Sequence, residues 1–211
     1  MSRKAAPLVA ILSVAALAAC SSDSSGKDAD IVDRPITKQL GQSEIAQALP
    51  GEGEVLTGWE PYKGKRVTKD GTYCTSSDSA GAPEGWVRGG SAWFNQGGST
   101  DNMMDIGICL YDTAENARAA YEAWKGKEPD KEKALGKGVG EESVLVVNPG
   151  VSDDMIHALS RSGKVNIRVK VDGTGGETTG AEDVLAAALK RLQQVQEGER
   201  ATATAADQAD E

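Results

Sequence analysis

Residues 155–171, with the sequence MIHALSRSGKVNIRVKV, decide the fold because they are predicted to form a β-hairpin. From residue 165 onward, Val and Ile alternate strictly with Asn, Arg and Lys, which is the two-residue period of a strand with one buried face. The segment RSGK at 161–164 separates this strand from the run at 155–160. A short polar connection containing glycine is typical of a hairpin turn. We therefore predict antiparallel strands at 155–160 and 165–171.

A helix is predicted to follow the hairpin. Thr179 and Glu182 have the spacing of a capping box, in which two side chains satisfy the first free amides of a helix. Apolar residues then recur on one helical face: Val184, Leu185, Ala188, Leu192 and Val195. After this closing helix, residues 198–211 are polar and are predicted to form a disordered acidic tail.

The same plan is predicted earlier in the chain. Strands at 86–94 and 103–111 are joined by NQGGS, and a helix follows with Asp112 and Glu115 at capping-box spacing. A shorter strand is predicted at 72–74, mostly loop at 51–71 with a strand near Val55, and a short helix within 36–49 that begins at Ser43. A β-branched run at 144–147 predicts one further strand. The fold class is therefore α+β: an antiparallel-rich sheet with helices packed on it, in two successive strands-then-helix halves preceded by a short helix. Residues 36–197 are predicted to be a single globular domain.

The N-terminus is predicted to be an export signal. Arg3 and Lys4 precede an apolar run at 8–19, whose length of about 12 residues falls short of the roughly 20 that span a bilayer. The sequence LAAC at 17–20 resembles the lipobox of bacterial lipoproteins, in which the cysteine is lipidated and becomes the first residue. The resemblance implies a signal peptide at 1–19, a lipid anchor in the bilayer through Cys20, and a flexible tether through residue 35. The alternative is an ordinary signal peptide with a chance cysteine.

The charge balance excludes some partners. Without Arg3 and Lys4 the chain keeps 21 of its 23 basic residues and all 32 acidic ones, a formal charge of −11. Such a balance argues against nucleic acid and against electrostatic binding to an anionic membrane surface.

Cys74 and Cys109 remain once Cys20 is assigned to lipid. An even pair in an exported chain predicts a disulfide, worth roughly 3–4 kcal/mol for a loop of about 35 residues. The alternative, a redox-active pair, lacks Cys-x-x-Cys spacing.

His157 is the only histidine, so a catalytic triad would have to use it with Ser160 or Ser162 and with Asp153 or Asp154. The chain has no Gly-x-Ser-x-Gly motif, and His157 lies in the middle of a predicted strand. We therefore predict a structural histidine and no catalytic residue. A single histidine and a bridged cysteine pair also predict no metal site, and no cofactor is predicted.

Tryptophans are the remaining candidates for a binding site. If the domain has a ligand groove near the sheet, Trp59 and Trp86 are the candidates to face it; the alternative, which the sequence favours, is that both pack in the core. Arg168, Lys170 and Lys164 are predicted to lie on a solvated strand face; the alternative is a small basic patch that takes part in binding.

The chain resembles actinobacterial exported lipoproteins and extracellular sensor-like domains, including those attached to receptor Ser/Thr kinases. The resemblance rests on the helix AENARAA at 114–120, the turn GVGEE at 138–142, the cysteine pair, the hairpin and the last helix, and it covers residues 40–196. It implies a lipid-anchored extracellular domain at the outer face of the cytoplasmic membrane. We therefore expect a non-catalytic binding or sensor-type domain for an unknown envelope ligand or protein. The alternatives are an envelope hydrolase using His157 and a structural envelope adaptor.

Overall fold

The computed structural model describes residues 34–68, 70–75, 81–149, 154–173 and 178–209, and all structural statements refer to these residues. The predicted signal peptide, Cys20 and the tether through residue 33 lie outside them. Within the described part of the chain, no helix is long and apolar enough to cross a membrane.

A seven-stranded antiparallel sheet forms the centre of the domain. Its strands are β1 Trp59–Thr68, β2 Trp86–Gln96, β3 Met103–Tyr111, β4 Glu132–Lys133, β5 Glu142–Val147, β6 Met155–Ser162 and β7 Val165–Asp172, in the order β1-β2-β3-β7-β6-β5-β4. Four helices accompany it: α1 Gln42–Ala48, α2 Ala114–Lys125, α3 Thr179–Glu197 and α4 Ala205–Ala209. Single 3-10 turns occupy Thr72–Cys74 and Pro129–Lys131. This architecture confirms the predicted α+β fold.

The hairpin of β6 and β7 lies at the middle of the sheet. Ser162 pairs with Val165, and the turn between them places Gly163 at φ 57°. A Cβ atom at this position would collide with the carbonyl oxygen of Ile36, so only glycine fits the turn. Pairing of β7 with β3, for example Ile167 with Ile108, joins the two halves of the chain into one sheet.

Apolar side chains cover both faces of the sheet. On one face, α1 and α3 pack over the strands, α4 packs on α3, and the larger core that they enclose includes Ile106, Ile167 and Val169. On the other face, α2 and the 3-10 turn at Thr72–Cys74 enclose a second core with Tyr111 and Leu159. Burial on both faces means that the polar side chains of the central strands do not all reach water.

Three local predictions in the N-terminal half are wrong. Residues 72–74 form a 3-10 turn instead of a strand. Within the predicted loop at 51–71, residues 59–68 form the ten-residue strand β1, and Val55 lies in a bend before it. An irregularity between Pro61 and Gly64, where φ is 65°, lets β1 carry residues that strands usually avoid.

The helices form where predicted, but different residues cap them. Helix α1 begins after Gly41, whose amide donates to the Glu44 carboxylate at 2.6 Å, so Ser43 is not its cap. The Thr113 hydroxyl accepts from the Asn116 amide at the start of α2. Helix α3 follows Thr178.

The prediction of a disordered tail is wrong for residues 199–209. This segment folds back on α3 and ends in α4, with Ala201 and Ala205 buried. The buried guanidinium of Arg191 donates to the carbonyl oxygens of Ala203 at 3.0 Å and of Ala48 at 2.9 Å. Arg191 therefore ties the C-terminal segment to α1 through the middle of α3.

Candidate functional site

A polar cleft of about 170 Å³ lies on the sheet face that α2 covers in part. Its floor is the middle of β3, β7 and β6, and its walls are α2 and the loop at 71–75. It is lined by Thr72, Tyr73, Thr75, Asp105, Trp124, His157, Arg168 and Lys170. Four of these eight side chains end in a carboxylate, an imidazole, a guanidinium or an ammonium group: Asp105, His157, Arg168 and Lys170.

The loop wall is fastened by one covalent bond and three hydrogen bonds. A disulfide joins Cys74 to Cys109 on β3, which confirms the predicted pair. Trp124 donates from its indole to the carbonyl oxygen of Cys74 at 2.7 Å. Arg168 donates to the carbonyl oxygens of Tyr73 at 2.6 Å and of Thr75 at 3.3 Å. The loop is thus held at a fixed height above the strands.

Strand register places the charged residues of the floor in one row. Asp105 on β3 lies directly opposite Lys170 on β7, and Lys170 lies directly opposite His157 on β6. Directly opposed residues of antiparallel strands point to the same face, with Cβ atoms roughly 4.5–5.5 Å apart. Trp93 on β2 continues the row beyond Asp105.

His157 is neutral in this environment. Burial and the positive charges of Lys170 and Arg168 lower the pKa of His157 to about 3. Its Nε2 atom lies 3.1 Å from the sulfur of Met155. A neutral imidazole offers one donor and one acceptor, and which nitrogen carries the proton depends on the tautomer.

Asp105 is the other unusual group of the floor. Burial raises the pKa of its carboxyl group, while Lys170, Arg168 and a hydrogen bond from Trp93 act in the opposite direction. Its Oδ1 atom is buried and has no hydrogen-bond partner among the described residues. A buried acceptor without a donor carries a desolvation penalty of roughly 1–3 kcal/mol.

Arg168 has a different role from its neighbours. Its guanidinium lies 4.7 Å from the centre of the Trp124 ring, in a cation–π contact, and holds the two loop carbonyls described above. The side chain is buried, and the predicted solvated strand face is therefore wrong for this residue. Arg168 contributes a fixed positive charge to the cleft. Lys164, the third residue of the basic patch considered from the sequence, lies in the hairpin turn and does not line the cleft.

The predicted aromatic pair does not form a groove. Trp59 is buried in the larger core, whereas Trp86 packs against the second core on the opposite face of the sheet. Core packing, the alternative considered from the sequence, is what both side chains do. Trp124 on α2 is the tryptophan that lines the cleft.

A triad of His157 with Ser160 is not formed. Three positions apart on one strand, the two side chains point to opposite faces of the sheet. The Ser160 hydroxyl donates to the carbonyl oxygen of Val139 at 2.7 Å, on the side of the larger core. Asp153 lies outside the described residues. Within the described ranges, no group of three or more His, Cys, Asp or Glu residues could hold a metal ion.

A larger groove of about 380 Å³ lies on the outer side of the same loop, but its chemistry is poor. Its lining is mostly small and apolar: Cys74, Thr75, Gly81, Ala82, Pro83, Ala120, Ala123 and Trp124. Specific small-molecule sites combine an apolar wall with a few converging polar groups. The polar cleft meets this description better and is the candidate site.

The fold and the cleft define an α+β domain with a disulfide-fastened polar site on one sheet face. No protein-family model and no curated protein sequence matches the chain. Among solved structures, it is similar to the extracellular domain of PknH from Mycobacterium tuberculosis, with 14% sequence identity and a TM-score of 0.49. The similarity covers 79% of this chain and 99% of the PknH domain.

Proposed function

We propose that the chain is a lipid-anchored, non-catalytic domain of the cell envelope that binds a ligand in the polar cleft. The observation that carries the binding proposal is Asp105, a residue that lines the cleft and whose buried Oδ1 atom has no donor among the described residues. A ligand that donates a hydrogen bond to this atom removes the desolvation penalty. The folded domain without ligand bears that penalty, which is typical of groups kept for function rather than for stability.

The fixed loop supports the same proposal. Because the disulfide and the Arg168 hydrogen bonds already hold the wall, little ordering remains to be done when a ligand enters. Pre-organised sites of this kind lose less conformational entropy on binding. A purely structural adaptor has no need of such a wall beside a carboxylate whose Oδ1 atom has no donor among the described residues.

The hydroxyl groups of the cleft favour binding over catalysis. The Thr72 hydroxyl donates to Asp70 at 3.3 Å, and the Thr75 hydroxyl donates to the carbonyl oxygen of Thr72 at 2.8 Å. A hydroxyl nucleophile needs an adjacent general base that takes its proton. The Thr75 hydroxyl points its proton at a backbone carbonyl oxygen, which cannot act as a base, and the carboxylate of Asp70 next to Thr72 is not part of the cleft lining.

A stability measurement tests whether Asp105 is a binding group. We expect Asp105→Asn to leave the free energy of unfolding unchanged or to raise it by about 1 kcal/mol, because the amide can keep the Trp93 contact without a buried charge. Thr113→Ala, which removes the cap of α2, serves as the reference variant, and its free energy of unfolding is expected to fall by about 1 kcal/mol. Urea unfolding of both variants gives the comparison. A loss of more than about 1 kcal/mol in Asp105→Asn would mean that the carboxylate is structural, and the binding proposal would be withdrawn.

The anchoring proposal rests on the sequence LAAC at 17–20. Expressed in a lipoprotein-processing bacterium and labelled with a fatty acid, the chain is expected to carry the label and to sediment with membranes. Cys20→Ser is expected to lose both properties, whereas the neighbouring Ser22→Ala is expected to keep them. A Cys20→Ser variant that still carries the label would refute the anchor.

A further inference from the structure

Two opposite charges lie side by side on the floor of the cleft. Asp105 and Lys170 face the same side of the sheet from directly opposed positions on β3 and β7, and both line the cleft. At this spacing a ligand can contact a carboxylate and an ammonium group at the same time. The neutral imidazole of His157 follows on the far side of Lys170.

We propose that the cleft binds a small zwitterion, an amine and a carboxylate on the same carbon, as in a free amino acid. The inference rests on the proposed binding function and names the chemistry of its ligand. The ammonium group donates to Oδ1 of Asp105, which has no other donor among the described residues. The carboxylate lies toward the ammonium group of Lys170, which lines the same cleft.

Ligands of one charge fit the same floor less well. An anion alone would leave Oδ1 of Asp105 without a donor and would be repelled by its charge. A cation alone would meet Lys170 and the fixed charge of Arg168, the groups whose field already disfavours a proton on His157. A zwitterion pairs with both signs and adds no net charge to a partly dry site.

The size of the cleft limits the ligand to one small residue. Its volume of about 170 Å³ is well below the roughly 300–1,000 Å³ of sites for drug-sized ligands. At roughly 30 Å³ per water molecule, it holds only a few heavy atoms. Glycine and alanine fit this space, and a peptide of several residues does not.

The single histidine provides a direct probe of the cleft. Because His157 is the only histidine of the chain, labelling histidine with ¹³C gives one imidazole signal that originates in the site. The detergent-solubilised full chain is titrated at neutral pH with glycine, L-alanine and D-alanine. Acetate and methylammonium serve as half-ligands, and glycerol serves as an uncharged probe.

We expect glycine and at least one alanine enantiomer to shift the signal saturably, with affinities about tenfold or more above those of acetate and methylammonium. Asp105→Asn and Lys170→Met are each expected to weaken glycine binding by about tenfold or more. Lys164→Met, on the same hairpin but outside the cleft, is expected to bind glycine as the wild type does.

Each other outcome overturns the zwitterion and leaves the binding function to be judged separately. Acetate binding as tight as glycine binding, with no effect of Asp105→Asn, would identify an anion site. Methylammonium alone would identify a cation site, and glycerol a site for uncharged hydroxyl groups. If no probe shifts the His157 signal, the zwitterion is wrong, and the stability of Asp105→Asn decides whether the cleft is a binding site at all.

Discussion

Acidification is expected to destabilise the domain through His157 before the carboxylates titrate. The pKa of this imidazole is about 3 in the folded chain, because burial and the charges of Lys170 and Arg168 oppose its proton. In the unfolded chain the pKa returns to about 6.5. As the pH falls below 6.5, the unfolded state therefore binds a proton that the folded state does not. The contribution of neutral His157 to the free energy of unfolding is therefore complete above pH 6.5 and is lost progressively as the pH falls toward 3.

The size of this effect follows from the two pKa values. Between 6.5 and about 3 the difference is roughly 3.5, and at about 1.36 kcal/mol for each pKa unit its ceiling is roughly 5 kcal/mol. By pH 5 the unfolded chain is mostly protonated at His157, which gives a loss of about 2 kcal/mol. The side chain is partly exposed to solvent, so screening reduces the expected loss to about 1–2 kcal/mol.

Urea unfolding at pH 7.5 and pH 5 measures the loss, and His157→Gln provides the matched control. The variant has no imidazole and is expected to lose less stability between these two pH values, by about 1–2 kcal/mol. The ¹³C-labelled imidazole of the wild type gives the folded-state pKa directly. In Lys170→Met the pKa of His157 is expected to rise, because a neighbouring positive charge is gone. An inflection of the wild-type signal near pH 6.5 would refute the account of the cleft as a buried, positively charged environment for His157.

Two further predictions concern the framework. Arg191→Met retains the length of the side chain but removes the buried hydrogen bonds to Ala48 and Ala203 and the contact with Glu54 at 3.1 Å. Urea unfolding is expected to show a free energy of unfolding lower by roughly 3–5 kcal/mol. A change below about 1 kcal/mol would contradict the role of Arg191 in joining the C-terminal segment to α1. Mass spectrometry without reductant is expected to recover a peptide linked through Cys74 and Cys109, and two free thiols in the native protein would contradict the pairing. Replacing both cysteines with alanine is expected to lower the free energy of unfolding by roughly 2–4 kcal/mol.

Strands with a regular alternation were predictable from the sequence, and β1 was not. In β7 every second residue is Val or Ile, and the prediction at 165–171 agrees with Val165–Asp172 to within one residue. In β1, Pro61 and Gly64 are residues that single-sequence patterns assign to loops. They are tolerated because the strand is at the edge of the sheet and an irregularity lies between them.

The cleft could be predicted only in part. Arg168 and Lys170 alternate with apolar residues, a pattern that indicates a face in contact with water. What buries Arg168 is the loop at 71–75, which is distant in sequence. A usable indication was the disulfide: Cys109 and Asp105 are four positions apart on one strand and share a face, so a bond to Cys74 places the loop near Asp105. That deduction requires the register, which composition does not provide.

The C-terminal segment was mispredicted for a different reason. Residues 198–211 contain alanine and polar residues, a composition with little apolar area to bury. The C-terminal segment is held on α3 mainly because the buried guanidinium of Arg191 donates a hydrogen bond to the carbonyl oxygen of Ala203. Arg191 lies on the same helical face as Ala188 and Val195, but arginine is rarely so buried, so the sequence alone did not indicate that its guanidinium would point inward.

The order of the strands also determines when each part of the chain can fold. Strands β1, β2 and β3 are neighbours both in sequence and in the sheet, as are β4 to β7, and a single long-range pairing of β3 with β7 unites them. In that pairing Met104 meets Val171, so the contact closes a long loop and is expected to form late. Cys109 lies on β3, and Cys74 lies in the 3-10 turn between β1 and β2, so both cysteines precede the second group of strands. A chain that emerges N-terminus first can therefore oxidise its disulfide while β3 still presents an open edge, and the second group of strands then completes the sheet by adding β7 to that edge.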